Sequence, residues 1–438
     1  MHWFYALPIV MLPNALHLPA DMGVGLSLVL LAGAGIFGPR EPRPLQGGSW
    51  LLPPLTGLFL ALMVGYVLAL RHDASDPGGD LVRAKYAVIY PLLYLAYRHC
   101  GMDLATTRRL IMLVVVVAVL AGLEAVIQGL QFDLGEFAGD QRATGPFGEI
   151  TAANRAGVFF AMFLPLAVAL ALRRDGRSSV RLIALAGSVV LVAAILFTFS
   201  RQSYVIAAFG ILLLLFHRGV PAALLACLLF AGAGAALMPE SAVQRIEETR
   251  QVGAGGTASM DDSTASRLDI WKGAAAMLAA NPLGVGLGQF DDHIGEYSNF
   301  PGMDAHNGFV LMLAECGPFG LAMMLWLFWR LLVLASRLRR VAHAGLPEDR
   351  ALALGMTVAV LCVAASNLYG SPFFAALVMN SFWILCGLME RHGLLLAQAA
   401  TSRLGPAAKP VASPAARFPL AARAMPGLVA RQRQRAGG

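Results

Sequence analysis

Apolar stretches of about 20 residues recur along this chain from its first residues to about residue 398. A helix needs about 20 such residues to cross the hydrocarbon core of a bilayer. Only 13% of the residues are charged, against about 25% in soluble domains, so the chain cannot cover a water-facing surface of its size. The pattern predicts an all-α integral membrane protein.

The apolar stretches predict twelve spans, with one large connection between the ninth and the tenth, over 238–305. The spans are expected at 3–20, 22–38, 50–70, 81–98, 110–130, 156–172, 182–199, 203–217, 220–237, 306–329, 351–369 and 373–396. They form one membrane domain over 1–402. The tail over 403–438 is mostly Ala, Pro and Arg, which predicts disorder beside anionic lipid headgroups.

Lys and Arg are concentrated in alternate connections and in the tail. Short loops rich in these residues stay in the cytoplasm, so both termini are predicted inside. The segments 131–155 and 238–305 are then outside. Acidic residues outnumber basic ones in 238–305, which also contains the Gly-rich string GAGGTASMDDSTAS. A large loop of this kind is expected to carry the site.

Several functional classes are disfavoured. The net charge of +7 comes without a basic face interleaved with aromatic residues, so nucleic-acid binding is not expected. The five cysteines lie in or beside apolar runs without metal-type spacing, which predicts neither disulfides nor zinc. Gly284, Gly286 and Gly288 lack the Rossmann spacing and a preceding strand, and predict a backbone turn at the membrane surface.

Three residues on the predicted outer side could carry chemistry. Arg201, in FTFSRQSY, either reaches for water from a helix end or holds an anion there. Arg267 lies in the first turn of a helix predicted over 266–280, where it either pairs with an acid or serves another purpose, since the helix dipole disfavours it. His306, where the large loop meets a long apolar helix, is either a structural residue or a titrating group.

Two buried acids are also notable. Glu315 follows His306 by nine residues, which on a continuous helix places the two on opposite faces. A hydrogen bond to a neighbouring helix is therefore expected for Glu315 rather than a shared dyad. Glu124 in the fifth span is either a polar tie between helices or part of a pathway.

The chain resembles the superfamily of O-antigen ligases and polymerases, bacterial envelope glycosyltransferases, over roughly 145–330. Four blocks carry the resemblance in order: GPFGEITAANRAGVFFAMFLPLA, FTFSRQSYVIAAFGILLLL, SRLDIWKGAAAMLAANPLGVGLGQF and AHNGFVLMLAECGPFG. The last two are the most specific, because a His-Asn pair opening a helix, with Glu and Gly about ten residues on, resembles the family signature.

The resemblance implies a C-type glycosyltransferase architecture with one large periplasmic loop, in the bacterial inner membrane. It implies undecaprenyl-pyrophosphate-linked glycan as donor, lipid A-core or another glycan as acceptor, and no metal or other cofactor. His306 resembles the catalytic histidine, and Arg201 and Arg267 resemble the arginines that contact the donor pyrophosphate. Supporting roles are expected for Asn154, Lys272, Asn307 and Glu315.

General chemistry is consistent with these roles. Negative charge develops on a glycosyl pyrophosphate as the C1–O bond breaks, and guanidinium groups can stabilise it. A positioned histidine can take the proton of the attacking hydroxyl. Attack from the opposite face would invert the anomeric centre. A polymerase and a protein-acceptor transferase remain open within the family. A secondary transporter remains open outside it, although the chain shows no internal repeat.

Overall fold

The computed structural model describes residues 3–18, 20–38, 48–71, 77–132, 141–173, 175–219 and 262–403. Within these ranges the chain is helical and contains no strand. The helices are α1 (Trp3–Met11), α2 (Ala20–Phe37), α3 (Leu52–Arg71), α4 (Pro77–Arg98), α5 (Leu104–Gly129), α6 (Ala153–Ala171), α7 (Ser178–Phe197), α8 (Arg201–Arg218), α9 (Asp262–Ala280), α10 (Phe290–His293), α11 (Gly308–Ala342), α12 (Pro347–Ser366) and α13 (Ala376–Arg403).

Six of the described helices are long and apolar enough to cross a bilayer: α3, α5, α6 with the short turn before it, α7, α11 and α12. The described residues are thus all-helical and consistent with the predicted α-helical membrane protein, and the twelve spans and the periplasmic loop stay predictions. The first predicted span, 3–20, is shorter than expected, because α1 ends at Met11 just before Pro13. The ninth span, the loop residues 238–261 and the tail from 404 lie outside the described residues.

Small residues bring the helices close together, as is typical of membrane bundles. A Cβ on Gly122 of α5 would lie 3.1 Å from Leu191 of α7, and one on Gly355 of α12 would lie 2.7 Å from the backbone of Leu166 in α6. Meanwhile α7 exposes Leu182, where the side chain is 68% accessible. An apolar surface of this kind suits lipid rather than water.

Helix α11 folds back on itself at Gly317. This glycine has a φ of 66° and precedes Pro318, so the regular hydrogen-bond ladder is interrupted. The ring centroids of Phe309 and Phe328 lie only 5.7 Å apart, whereas a straight helix would separate them by about 28 Å. The predicted single span 306–329 is therefore two arms, Gly308–Cys316 and Pro318–Ala342.

The Gly284-x-Gly286-x-Gly288 string packs against this bend. The backbone N–H groups of Val285 and Gly286 donate to the carbonyls of Ala314 and Glu315, at 2.9 and 3.0 Å. Gly284 has a φ of 95°, and a Cβ there would lie 2.4 Å from the Glu315 carbonyl oxygen. The glycines thus serve close backbone packing against the bend, whereas the sequence predicted a backbone turn at the membrane surface.

A cluster of buried and half-buried charges joins four helices. We name it the arginine–carboxylate cluster: Arg98, Arg108, Asp349, Glu390 and His392. Arg98 Nε lies 2.8 Å from Glu390 Oε1, and Arg108 binds both oxygens of Asp349, at 2.7 and 2.9 Å. His392 Nε2 lies 2.9 Å from Asp349 Oδ1. These ion pairs tie α4, α5, α12 and α13 together.

Candidate functional site

A cavity of about 680 Å³ opens among α3, α6, α9, α11 and the connection between α12 and α13. Its wall includes six charged or polar side chains that are candidates for chemistry: Asn154, Arg155, Arg267, Asp304, His306 and Glu315. With Gln202, which also lines the cavity, the structure brings together residues from all four sequence blocks. Apolar side chains such as Leu58 and Leu62 line the side that faces α3.

His306 lies in the connection before α11, in a constrained backbone. Its φ is 50°, in the left-handed region that non-glycine residues rarely adopt. Such strain persists only where neighbours enforce it, and it is common at active sites. Here the enforcing contacts come from both sides: the Ala305 carbonyl accepts from Trp271 Nε1 at 2.8 Å, and the Gly308 N–H donates to the carbonyls of Asn367 and Gly370, both at 2.8 Å.

Asn307 fixes the start of α11. Its Oδ1 accepts from the backbone N–H groups of Phe309 and Val310, at 3.0 and 3.2 Å. This is an N-cap, which orders the first turn of a helix. The supporting role expected for Asn307 is therefore structural in this geometry, because the cap holds the residue next to His306 in place.

The His306 ring has an acid on one side and a cation nearby. Its Nδ1 lies 3.8 Å from Asp304 Oδ2, and the same oxygen accepts from Ser371 Oγ at 3.0 Å. Burial lowers the pKa of His306 below 6.5; Asp304 opposes this shift and Arg267 reinforces it. The imidazole is therefore mostly neutral at pH 7. A neutral ring with one unprotonated nitrogen is the state that can accept a proton.

Arg267 is held flat on an aromatic ring. Its Cζ lies 3.7 Å from the ring centroid of Tyr369, in the connection between α12 and α13. Stacking of this kind orients a guanidinium while leaving its edge available for ligands. Because α9 begins at Asp262 rather than near residue 266, Arg267 lies in the second turn, where the helix dipole opposes it less than predicted.

Arg201 lies in a neighbouring groove rather than in the cavity. This groove, of about 630 Å³, is lined by apolar side chains of α8 and by Leu368. Gln202 and Tyr369 line both the groove and the cavity. Arg201 opens α8 two residues after Phe199, which also has a left-handed φ, of 47°. Arg201 therefore lines the groove and Arg267 lines the cavity, and the two spaces share Gln202 and Tyr369 as a common wall.

The start of α6 contributes a second pair to the cavity, Asn154 and Arg155. Arg142 holds the asparagine, donating from Nη2 to Asn154 Oδ1 at 2.6 Å, and also donates from Nε to the Thr198 carbonyl at 3.0 Å. Arg155 is exposed and lines the cavity. Sequence reasoning missed Arg155, although its position next to Asn154 in a matching block was an available signal.

The positions of Glu315 and Lys272 differ from those expected from the sequence. Glu315 is 4% exposed and lines the same cavity as His306. The helical count that placed the two on opposite faces does not apply, because α11 begins only at Gly308 and His306 is not helical. Lys272 is exposed on α9 and does not belong to the described wall of the cavity.

Asn380 lines the cavity, and nothing in the sequence singled it out. Asn380, in the second turn of α13, is fully buried, and neither atom of its amide has a hydrogen-bond partner. Its neighbours along the wall include Ala375 and Ala376 at the N-terminus of α13. Among the described residues, no group of three or more His, Cys, Asp or Glu side chains could hold a metal ion.

The comparisons with known proteins agree with the sequence resemblance. The family model of O-antigen ligases matches residues 186–325, a range that includes Arg201, Arg267 and His306. No curated protein matches the chain. The family match confirms the resemblance to the O-antigen ligase and polymerase superfamily.

Proposed function

From the similarity to O-antigen ligases, we propose that this protein transfers a glycan from undecaprenyl pyrophosphate to an acceptor hydroxyl of lipid A-core. The observation that carries the proposal is the placement of a strained His306, whose pKa burial lowers, in one cavity with Arg267. A base for the hydroxyl and a cation for the leaving group are the two components that this reaction needs.

In the proposed reaction the acceptor oxygen attacks C1 of the donor sugar from the face opposite the pyrophosphate. His306 takes the hydroxyl proton, the new C1–O bond forms, and the old C1–O bond breaks with its electron pair leaving on the pyrophosphate. The anomeric centre is inverted. Arg267 and Arg155 would stabilise the developing charge within the cavity. Asp304 would orient the imidazole from its Nδ1 side.

The apolar groove supports a lipid-linked donor. Val205, Ile206 and Phe209 of α8 line it, and it adjoins the cavity at Tyr369. We propose that the isoprenoid tail lies in the groove and the pyrophosphate lies between Arg201 and Arg267. The sugar then enters the cavity that contains His306. This arrangement gives each part of an amphiphilic donor a surface of matching polarity.

The same base and cations could serve more than one acceptor. A polymerase, which extends another donor-linked glycan, uses the same base and cations, and so does a transferase to a protein hydroxyl. The transporter alternative depends on buried charges along a path. Of its two candidates, Glu315 lines the cavity and Glu124 lies 3.3 Å from His17.

The decisive experiment measures release of undecaprenyl pyrophosphate by purified protein in lipid nanodiscs. Donor is supplied with lipid A-core, with donor-linked glycan alone, or with a serine-containing acceptor peptide. Release and glycan transfer only with lipid A-core are the expected result. Transfer onto the donor-linked glycan would establish a polymerase, and transfer onto the peptide a protein-acceptor transferase. Absence of release under all three conditions would refute the proposal.

The proposed periplasmic location of the site can be tested with two cysteines at opposite ends of the second arm of α11. Leu283, 71% exposed, packs near Gly317, and the exposed Ala344 follows the end of α11. In intact cells an impermeant thiol reagent should label Leu283→Cys and not Ala344→Cys, measured against the unmodified parent. The reverse pattern would place the site, and both termini, on the other sides.

A further inference from the structure

We propose that Asn380 and the N-terminal turn of α13 form a subsite for a sugar hydroxyl, at the part of the cavity wall formed by α13. The inference rests on the proposed function, because it takes the ligand to be a glycan. It adds a recognition element outside the residues of the family match, which ends at 325. It also assigns a role to a side chain that the catalytic mechanism does not use.

Asn380 belongs to the part of the cavity wall that α13 contributes. The residue is fully buried, and both Nδ2 and Oδ1 lack a hydrogen-bond partner. Buried polar groups in folded proteins are almost always bonded, because an unsatisfied one pays the full cost of leaving water. A leucine would fill similar space without that cost. Because Asn380 lines the cavity, its unsatisfied amide indicates a partner that enters the cavity and reaches the amide once the side chain turns toward it.

The residues around Asn380 limit the kind of ligand group that could bind there. An amide offers one acceptor and two donors, and a sugar hydroxyl is likewise both donor and acceptor. The nearby wall consists of Ala375 and Ala376 at the start of α13, together with Tyr90 and Phe373. Tyr90 is engaged elsewhere, since its hydroxyl donates to the Phe373 carbonyl at 3.2 Å. The cationic groups Arg155 and Arg267 lie on α6 and α9. A neutral hydroxyl therefore suits this part of the wall better than a phosphate does.

Backbone geometry supports the same conclusion. The first turn of α13 follows a short 3-10 helix at Pro372–Phe374, and the two together pass through the cavity wall. A helix N-terminus presents N–H groups that favour an electronegative partner. Asn380 lies just beyond this turn. The N–H groups of Val378 and Met379 already donate to the Ala375 carbonyl, at 3.1 and 3.0 Å. A hydroxyl oxygen would therefore be approached by the N–H groups that precede them in this turn, while its hydrogen is directed to the amide oxygen of Asn380.

The test uses Asn380→Leu, with Ser381→Ala as the matched control. Ser381 is the next residue, is 5% exposed, and has a hydroxyl without a partner, but it does not line the cavity. Both variants remove an unsatisfied buried polar group, so both should leave Tm unchanged or raise it. Only Asn380→Leu should weaken sugar recognition, by about 10- to 100-fold, the usual cost of losing a hydrogen bond in a polar pocket.

Two assays identify which sugar is bound. The first compares the Kd of undecaprenyl pyrophosphate with that of the same carrier bearing a glycan that the wild-type protein transfers. The second measures KM for the acceptor. Loss of the preference for the glycan-bearing carrier assigns the hydroxyl to the donor. A rise in acceptor KM with donor binding intact assigns it to the acceptor. Should Asn380→Leu fail to insert, Asn380→Ala carries the same comparison.

The outcomes separate this inference from the proposed function. If wild-type protein turns over the donor, and Asn380→Leu keeps both the glycan preference and the acceptor KM, the subsite is refuted and the transferase stands. If Asn380→Leu weakened binding of the carrier equally with and without the glycan, the subsite would also be refuted, because the contact would then be to the carrier. A wild type that shows no glycan preference and no turnover would refute the proposed function together with the subsite.

Discussion

The arginine–carboxylate cluster and the cavity both bury polar groups within a helical membrane fold, yet they do so differently. In the cluster, Glu390 accepts from Arg98, Tyr94 and the Trp50 N–H, and Asp349 binds Arg108 and His392. In the cavity, the His306 backbone is strained and its Nδ1 lies 3.8 Å from Asp304 Oδ2. The Asn380 amide has no hydrogen-bond partner there.

This difference in pairing indicates that the cluster stabilises the fold and that the cavity is the place for chemistry. A buried charge is tolerated when its partner is in place, and removing the partner exposes the full desolvation cost. The cluster meets that condition within the chain. In the cavity, the buried amide of Asn380 has no hydrogen-bond partner, and the subsite proposed above would have a ligand supply one. Substitutions in the cluster should therefore affect folding, and substitutions in the cavity should affect turnover.

The largest effect is expected at His306. His306→Gln should reduce turnover by roughly 10²–10⁴, the usual worth of a positioned general base. Protein level and Tm should stay near wild type, because the side chain is 36% exposed and contributes little packing. The measurement is kcat together with Tm. A fall in Tm with normal turnover per folded molecule would make His306 a structural residue. His293→Gln, outside the described cavity wall, is the control.

The opposite outcome is expected in the cluster. Glu390→Gln leaves Arg98 buried with a weaker partner, and breaking a buried ion pair typically costs about 3–5 kcal/mol of folding free energy. Thermal unfolding in detergent should show the loss, with turnover per folded molecule unchanged. The exposed Glu296→Gln serves as control. An unchanged Tm would mean that the cluster contributes no net stability.

A smaller effect is expected from Arg267→Lys. Lysine keeps the charge but loses the planar fork and the stacking on Tyr369. Loss of a charge-assisted hydrogen bond predicts a fall in kcat/KM of roughly 10- to 100-fold, and the same change at Arg201 should behave similarly. The exposed Arg340→Lys, in the last turn of α11, is the control. Near-wild-type activity of both site variants would exclude pyrophosphate binding by these arginines.

The smallest effect is a shift of the pH profile. Because the pKa of His306 is lowered below 6.5, the acid limb of kcat/KM should lie below pH 6.5. Asp304 raises that pKa, so Asp304→Asn should move the limb to lower pH. Arg267 lowers it, so Arg267→Gln should move the limb to higher pH. Shifts in the same direction in both variants would show that the limb does not belong to His306.

The types of residue at the site could be predicted from the sequence, whereas the shape of the cavity could not. A histidine and an arginine flanking an acidic loop predicted residues that do share a cavity, since His306 and Arg267 both line it. Apolar runs predicted the helices themselves. The bend at Gly317 was missed because the apolar pattern runs through it unbroken, even though a Gly-Pro pair stood in the sequence.

Tertiary placement explains the remaining differences. Tyr369 and Asn380 come from a connection and a helix that the sequence blocks do not reach, and only the packing of α12 and α13 brings them to the cavity. Glu315 was assigned to the wrong face because helical periodicity was counted from a residue outside the helix. Periodicity describes one element at a time, and the site is assembled from several.

Folding α11 back at Gly317 lowers its first residues into the protein. Ten residues of the second arm, about 15 Å of helix, separate Pro318 from Phe328, beside which the first arm begins. His306, just before that arm, therefore lies alongside the middle of the second arm, whereas a straight helix would carry it far from Phe328. The cavity is thus built against the side of a helix instead of at a helix tip.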